Sequence, residues 1–262
     1  RGDYIYIATS DDTMRPETLE LLAAALDEHQ DCDIAHSNLI AIDEHGDEIP
    51  GFYQSKCPVA RYFGDWLDRP HIRRAPHDGL LHFHGSTVYI SITQLLIRRN
   101  LFERVGLFRN ELGSAGDFEW EMRATLLCDT VHVPRYLGTW RLHGNQATGF
   151  EKLETVEYSW FKYRMAREAV EKARELGAPN LPKTTTAAWR RVFANDALAR
   201  DLWVERNPVK KIPVLARHFA REPVNTALYV ARKLARARLN PIRHIRRLMK
   251  RSGCPDLLDE IA

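Results

Sequence analysis

Residues 3–17 read Asp3-Tyr4-Ile5-Tyr6-Ile7-Ala8-Thr9-Ser10-Asp11-Asp12-Thr13-Met14-Arg15-Pro16-Glu17. Tyr4 to Ala8 is a short apolar run rich in β-formers, and it ends in a polar cluster. This predicts a buried strand entering a loop. Pro16 then stands where a helix would start, with Glu17 and Glu20 in the first turn and Leu19, Leu22, Ala23 and Leu26 at helical spacing. Asp33 to Ile42 reads as a second strand, closed by the turn Asp43-Glu44-His45-Gly46. Strand, helix, strand is the opening of an α/β domain.

Further along, residues 50–85 read as a long, irregular surface excursion with one short helix from Val59 to Leu67. Ser86 to Ile97 alternates like a strand and is followed by Arg98-Arg99. Ser114 to Cys128 reads as helix and Val131 to Leu142 as strand. From Phe150 the pattern is helical: 151–176, 184–206, then shorter helices separated by Pro208, Pro213, Pro223 and Pro241, with Gly177 to Pro182 as the linker. The 262 residues are 44% hydrophobic and 28% charged, which excludes disordered, collagen-like and disulfide-rich classes. Cys32, Cys57, Cys128 and Cys254 form no C-x-x-C pair and fit a reducing compartment. No G-x-G-x-x-G, Walker A, G-x-S-x-G or zinc signature is present, so dehydrogenase, P-loop and serine-hydrolase chemistry lack their motifs.

Three constellations carry chemistry. Asp11 and Asp12 follow a predicted strand, where open α/β sheets bind ligands. Adjacent carboxylates there suit Mg²⁺ or Mn²⁺ shared with phosphates, or they favour the N-terminus of the next helix. Asp117, beside Gly113, Ser114, Ala115 and Gly116, reads either as an accessible general base or as part of a capping-box-like Ser114-x-x-Asp117, with Glu121 and Arg123 on solvated helix surface. Arg141 and His143 share one face at a strand end, where His143 suits a metal or phosphate or a structural role. His82 and His84 share a face on a possible strand, where no third ligand sits at metal spacing and loop packing or acceptor contact is expected.

In combination, these segments resemble family-2 glycosyltransferases over roughly residues 1–148. The matching elements are Arg1-Gly2-Asp3-Tyr4-Ile5 with Ser10-Asp11-Asp12 and Pro16-Glu17-Leu19, the turn Ala41 to Gly46, the run Leu96 to Phe108, Gly116-Asp117-Phe118-Glu119 with Arg123, and Arg141-Leu142-His143. The resemblance implies an α/β fold, a partial GT-A domain (1–148) lacking its first strands, with a basic all-helical extension (150–262). It implies an inverting, hexosyltransferase-type enzyme moving sugar from a nucleotide-diphosphate sugar to an acceptor hydroxyl in cell-surface polysaccharide or glycolipid synthesis. Asp11, Asp12 and His143 would hold Mg²⁺ or Mn²⁺. Asp11, Asp12, Arg141 and His143 would meet the donor, and Asp117 would be the base. Thr9 stands where the family's first D-x-D aspartate stands, and Gly116 where an acid precedes the base. The alternative is a non-catalytic GT-A-like relic that docks on membrane or polymer.

Charge is segregated beneath a formal net of +3: residues 1–189 sum to −7, residues 190–251 to +13 and the last eleven to −3. Val224, Leu228, Ala231, Ala235 and Leu239 recur at helical spacing, with Arg232, Lys233, Arg236 and Arg238 elsewhere on that helix. A basic amphipathic helix suits an anionic membrane surface and a lipid-linked or glycan acceptor. It equally suits packing on the acidic body. The expected setting is cytoplasmic, peripheral on the inner face of the plasma membrane where the basic segment 190–251 docks. No aromatic-interleaved motif points to nucleic acid.

Overall fold

The computed structural model describes residues 2–84, 87–144, 156–178, 181, 185–205, 207–234, 241–251 and 258–261. Its strands are β1 (Tyr4–Tyr6), β2 (Cys32–Ile42), β3 (His71–Arg73), β4 (Leu95–Arg98), β5 (Asp129–Arg141) and β6 (Leu258–Glu260). They form one open sheet in the order β1-β4-β2-β5-β3-β6. β2 and β5 pair in parallel, and β4 pairs antiparallel with both β1 and β2. β1, β2 and β5 therefore run the same way, with their carboxyl ends at one edge.

Alternation along the strands separates two cores. On β4, Leu96 joins the smaller core with Leu22 and Leu26 of α1 (Thr18–Glu28), while Leu95 and Ile97 face the larger one. The larger core gathers α2 (Phe52–Lys56), α3 (Pro58–Phe63), α4 (His77–His84), α5 (Arg99–Val105) and α6 (Gly116–Thr125). The C-terminal helices are α7 (Val156–Glu175), α8 (Thr185–Val204), α9 (Lys211–Arg221), α10 (Pro223–Leu234) and α11 (Pro241–Arg251). Ala166, Ala169, Val170 and Ala173 of α7 form a helical stripe of small residues that lets this helix press into the larger core. Phe193 of α8 and Ile245 and Met249 of α11 join the same cluster. The expected boundary at 148–150 lies outside the described residues. Among them, no helix is long and apolar enough to cross a membrane.

The mixed α/β order stands, but the extension from 150 is not all-helical, since β6 pairs antiparallel with β3 at the sheet edge, and the segment 50–85 is not a surface excursion. Tyr53, Val59, Phe63, Leu67, Leu80 and Leu81 are buried, and the segment carries α2 to α4 as well as β3. His82 lies on α4, a helix, so the expected strand there is replaced; the side chain of His84 lies outside what is described. The expected strand from Ser86 to Ile97 shortens to β4, and residues 85–86 lie outside the described residues. Ser91 accepts from the Thr93 N–H and starts a 3₁₀ turn at Ile92–Gln94, a local bond that competes with strand pairing. Glu121 and Arg123 are buried rather than solvated, because α4 and α7 pack against α6.

A polar layer lies inside the larger half. Asp78 accepts from Arg73 at 3.2 Å and from the Tyr89 hydroxyl at 2.6 Å, and lies 2.7 Å from His77 Nδ1. Arg73 Nε also donates to His71 Nε2 at 3.0 Å, and the ring nitrogens of His132 and His36 meet at 3.2 Å. Burial, reinforced by the Arg73 charge, lowers His71 to about 3 and holds His36 and His132 well below the ordinary histidine value. Burial alone takes His82 to about 3. These histidines are neutral when folded and take up protons when unfolded, so their stabilisation is present above about pH 6.5 and is lost as pH falls toward 3. Each costs up to about 1.4 kcal/mol per pH unit in that window. Buried Glu121, whose carboxyl burial raises well above its ordinary value, works in the opposite direction for one proton. The urea midpoint is therefore expected to fall markedly between pH 7 and pH 5, and a midpoint flat over that range would show that the histidines are not held neutral.

Candidate functional site

The loop after β1 runs antiparallel along the end of β5. Thr13 N–H donates to Thr139 Oγ1 at 2.9 Å, Thr139 N–H returns to Thr13 O at 2.8 Å, and Arg15 N–H reaches Leu137 O at 2.9 Å. This lacing carries Asp11 and Asp12 to the carboxyl ends of β1, β2 and β5, the ligand-binding edge of an open α/β sheet.

Neither aspartate caps α1, whose N-cap is Glu17 with no side-chain bond. Asp12 instead accepts the Ser91 hydroxyl at 2.6 Å and the Arg141 backbone N–H at 2.8 Å, one on each carboxylate oxygen. Arg141 fans its guanidinium onto backbone carbonyls, donating to Asp11 O at 2.8 Å, Asp43 O at 3.0 Å and Glu44 O at 3.3 Å. Two residues on, His143 Nε2 lies 3.2 Å from Asp11 Oδ2. Partial burial acts to raise the Asp11 carboxyl, but the His143 contact and its own backbone N–H outweigh it and hold the carboxyl below the ordinary carboxylate value. Asp11, Asp12, Arg141 and His143 are thus brought together. Asp11 and His143 converge as a pair while Asp12 is turned to Ser91 and Arg141. Among the described residues, no three His, Cys, Asp or Glu side chains converge as a metal-binding group.

Asp117 shares no hydrogen bond with that group among the described residues. It opens α6, where its carboxyl accepts the Phe118 N–H at 2.6 Å and where the N-terminal dipole favours an anion. Asp117 is an exposed residue; partial burial of its carboxyl raises its pKa against the lowering effect of the Phe118 and Asp117 backbone N–H groups. Ring contacts run from its chain neighbour toward the segment that carries Ser91. The Phe118 ring meets His82 edge-on at 5.4 Å, and His82 meets Tyr89 at 5.8 Å, two residues before Ser91.

Sequence reasoning missed Ser91 and Glu121 as parts of this region; His82, expected in loop packing or acceptor contact, is buried on α4. His82 Nδ1 accepts the Val88 N–H at 3.3 Å, which leaves the proton on Nε2, a buried donor without a partner among the described residues. Glu121 Oε2 is likewise buried and unpartnered, one helical turn from Asp117. Arg123 is structural: it grips Glu119 at 2.9 and 3.0 Å and donates to the Leu107 carbonyl beyond α5 at 3.1 Å. Ser91→Ala is expected to destabilise the protein by about 1–2 kcal/mol, because one Asp12 oxygen loses its donor. A double-mutant cycle with Asp12→Asn, read by urea unfolding, should show a coupling of at least about 0.5 kcal/mol; strict additivity would refute the pairing.

No protein-family profile matches the chain, and no curated protein sequence matches it. Among solved structures, S. aureus TarS residues 1–349 in complex with UDP-GlcNAc is similar, with a TM-score of 0.50 and 17% identity, covering 97% of this chain and 69% of that one. At that identity the likeness concerns the fold alone, and the fold is the mixed α/β, GT-A-like architecture.

Proposed function

We propose that the protein is an inverting glycosyltransferase of family-2 type that moves a sugar from a nucleotide-diphosphate donor to a hydroxyl of a glycan or lipid-linked acceptor. The observation that carries this reading is the junction of Asp11, Asp12, Arg141 and His143 at the carboxyl edge of β1, β2 and β5; Asp117, a carboxyl of raised pKa, joins it through the family resemblance. The order of these residues along the chain follows the family resemblance, and the GT-A-like fold agrees with it. The UDP-GlcNAc complex of TarS makes a UDP-sugar the first donor to test.

In this reading the acceptor oxygen attacks the anomeric carbon as the bond to the diphosphate oxygen breaks, and the acceptor proton passes to Asp117. A carboxyl with a raised pKa is a better proton acceptor than an ordinary aspartate near neutral pH. Asp11 and His143 would be the residues to hold Mg²⁺ or Mn²⁺, one supplying a carboxylate oxygen and the other an imidazole nitrogen. Such a cation, when bound, neutralises charge on the departing nucleoside diphosphate. Arg141, committed to three carbonyls, positions the loops rather than reaching for phosphate, and Asp12 locks the Asp11 loop to β5 through the Arg141 N–H.

Asp117→Asn is expected to leave donor affinity, measured by calorimetry with UDP-GlcNAc and Mn²⁺, within about twofold while lowering transfer by at least about 100-fold. Turnover retained by Asp117→Asn would overturn the base assignment, and absence of binding to any nucleotide sugar would favour the docking-module alternative.

A further inference from the structure

Seven of the eleven large hydrophobic side chains exposed among the described residues fall between positions 203 and 234: Trp203, Val209, Ile212, Phe219, Val224, Leu228 and Leu234. That is a small part of the chain. Scattered exposed apolar residues need no explanation, but a concentration of this kind marks an interaction surface. On α9, Ile212 and Phe219 are seven residues apart, and on the adjoining α10 Val224 and Leu228 are four apart, so each helix presents an exposed apolar stripe. Trp203, at 69% exposure, ends α8, and Val209, at 72%, precedes α9.

The opposite faces of these helices are anchored, so the stripes cannot roll inward. On α9, His218 is buried with Nε2 2.8 Å from Asp201 of α8, and Arg217 donates to the same carboxylate at 2.9 Å. At the α9–α10 junction Glu222 takes Arg190 of α8 at 2.7 Å, and Thr226 is buried. The apolar side left outward is bordered by exposed Lys210 and Lys233. Across 203–234 the sequence holds seven Lys and Arg against two acids, a net of +5. One of those acids, Glu222, is already paired.

We infer that α9 and α10, with Trp203 and Val209 at their margin, form a seat for an anionic phospholipid surface. Charge complementarity selects this occupant. Apolar side chains enter the acyl boundary while Lys and Arg meet anionic headgroups, the arrangement of interfacial amphipathic helices. A neutral apolar protein face would leave the +5 unmatched. The seat is centred earlier than the sequence pattern of 224–239 places it, and residues 235–239 lie outside those described. The inference is independent of sugar transfer, so its test requires no turnover.

The test is co-sedimentation of the full chain with vesicles of phosphatidylcholine containing about 30% phosphatidylglycerol, at about 0.1 M and about 0.5 M salt. Binding is expected to the anionic vesicles, at least tenfold stronger than to pure phosphatidylcholine and weakened by the higher salt. Phe219→Asp with Leu228→Asp should reduce it at least tenfold without shifting the thermal midpoint, since both side chains are exposed, and Lys210→Glu with Lys211→Glu should also lower it. Failure to bind anionic vesicles, or binding indifferent to both variants, overturns the proposal. So does a concentration-dependent dimer in light scattering that Phe219→Asp with Leu228→Asp abolishes without affecting vesicle binding, since the surface would then belong to a second copy of the chain.

Discussion

The candidate site depends on one side chain, Arg141. Its guanidinium donates to carbonyls of Asp11, Asp43 and Glu44, and its backbone N–H donates to Asp12. One residue at the end of β5 therefore ties together the loop after β1, the turn after β2 and its own strand. Those segments lie far apart in sequence, so ordering them against one another carries a large entropic cost that local propensity cannot meet. A planar guanidinium with several fixed donors can address three acceptors at once, whereas a lysine ammonium on a flexible stem cannot hold the same geometry. The Asp43 turn is itself ordered for this, its carboxylate accepting the N–H groups of His45 and Asp47 and its carbonyl accepting the Gly46 N–H at 3.2 Å beside the Arg141 guanidinium.

That brace explains why Asp11 and His143 can face each other without further support. His143 is only two residues beyond Arg141 and shares its strand direction, so fixing Arg141 to the Asp11 carbonyl brings the imidazole to the Asp11 carboxylate. Ser91 supplies the remaining constraint from the other side, binding Asp12 while its hydroxyl also lies 2.8 Å from Thr93 Oγ1. The short turn that truncates the expected strand is thus what carries Ser91 to the aspartates. The irregularity and the site have one cause.

The legible parts of this molecule were those written in contiguous residues. Tyr4 to Ile7 leading to Asp11, the helix after Pro16, the long strands β2 and β5, and Arg141 with His143 on one strand face follow from short-range pattern alone. The illegible parts are set by long-range burial. Residues 50–85 look like a loop because Pro, Gly and His interrupt their periodicity. In the structure those polar residues turn inward, where Arg73, His71, His77 and Asp78 satisfy one another. A buried histidine and a solvated one are written alike in sequence, and only the partner, Tyr89 or Arg73 from elsewhere in the chain, distinguishes them. Glu121 and Arg123 were misread for the same reason: their helix period is that of a surface helix, but α7 arrives from more than thirty residues downstream to cover them.

The covering by α7 bears directly on Asp117. α6 is held by Trp120, whose ring stacks on Phe102 at 4.6 Å and whose indole N–H donates to the Gly106 carbonyl at 2.7 Å. It is held on its far side by α7, and Arg109, just ahead of α6, reaches Glu168 of α7 at 2.8 Å. The small residues Ala166, Ala169 and Ala173 bring α7 close enough to enclose Glu121, and Glu121 in turn lies one turn below the Asp117 carboxyl. The burial of Glu121, one turn from Asp117, is therefore completed by a helix outside the first 148 residues. A helix beyond the α/β motifs is, in packing terms, part of the larger core against which α6 lies.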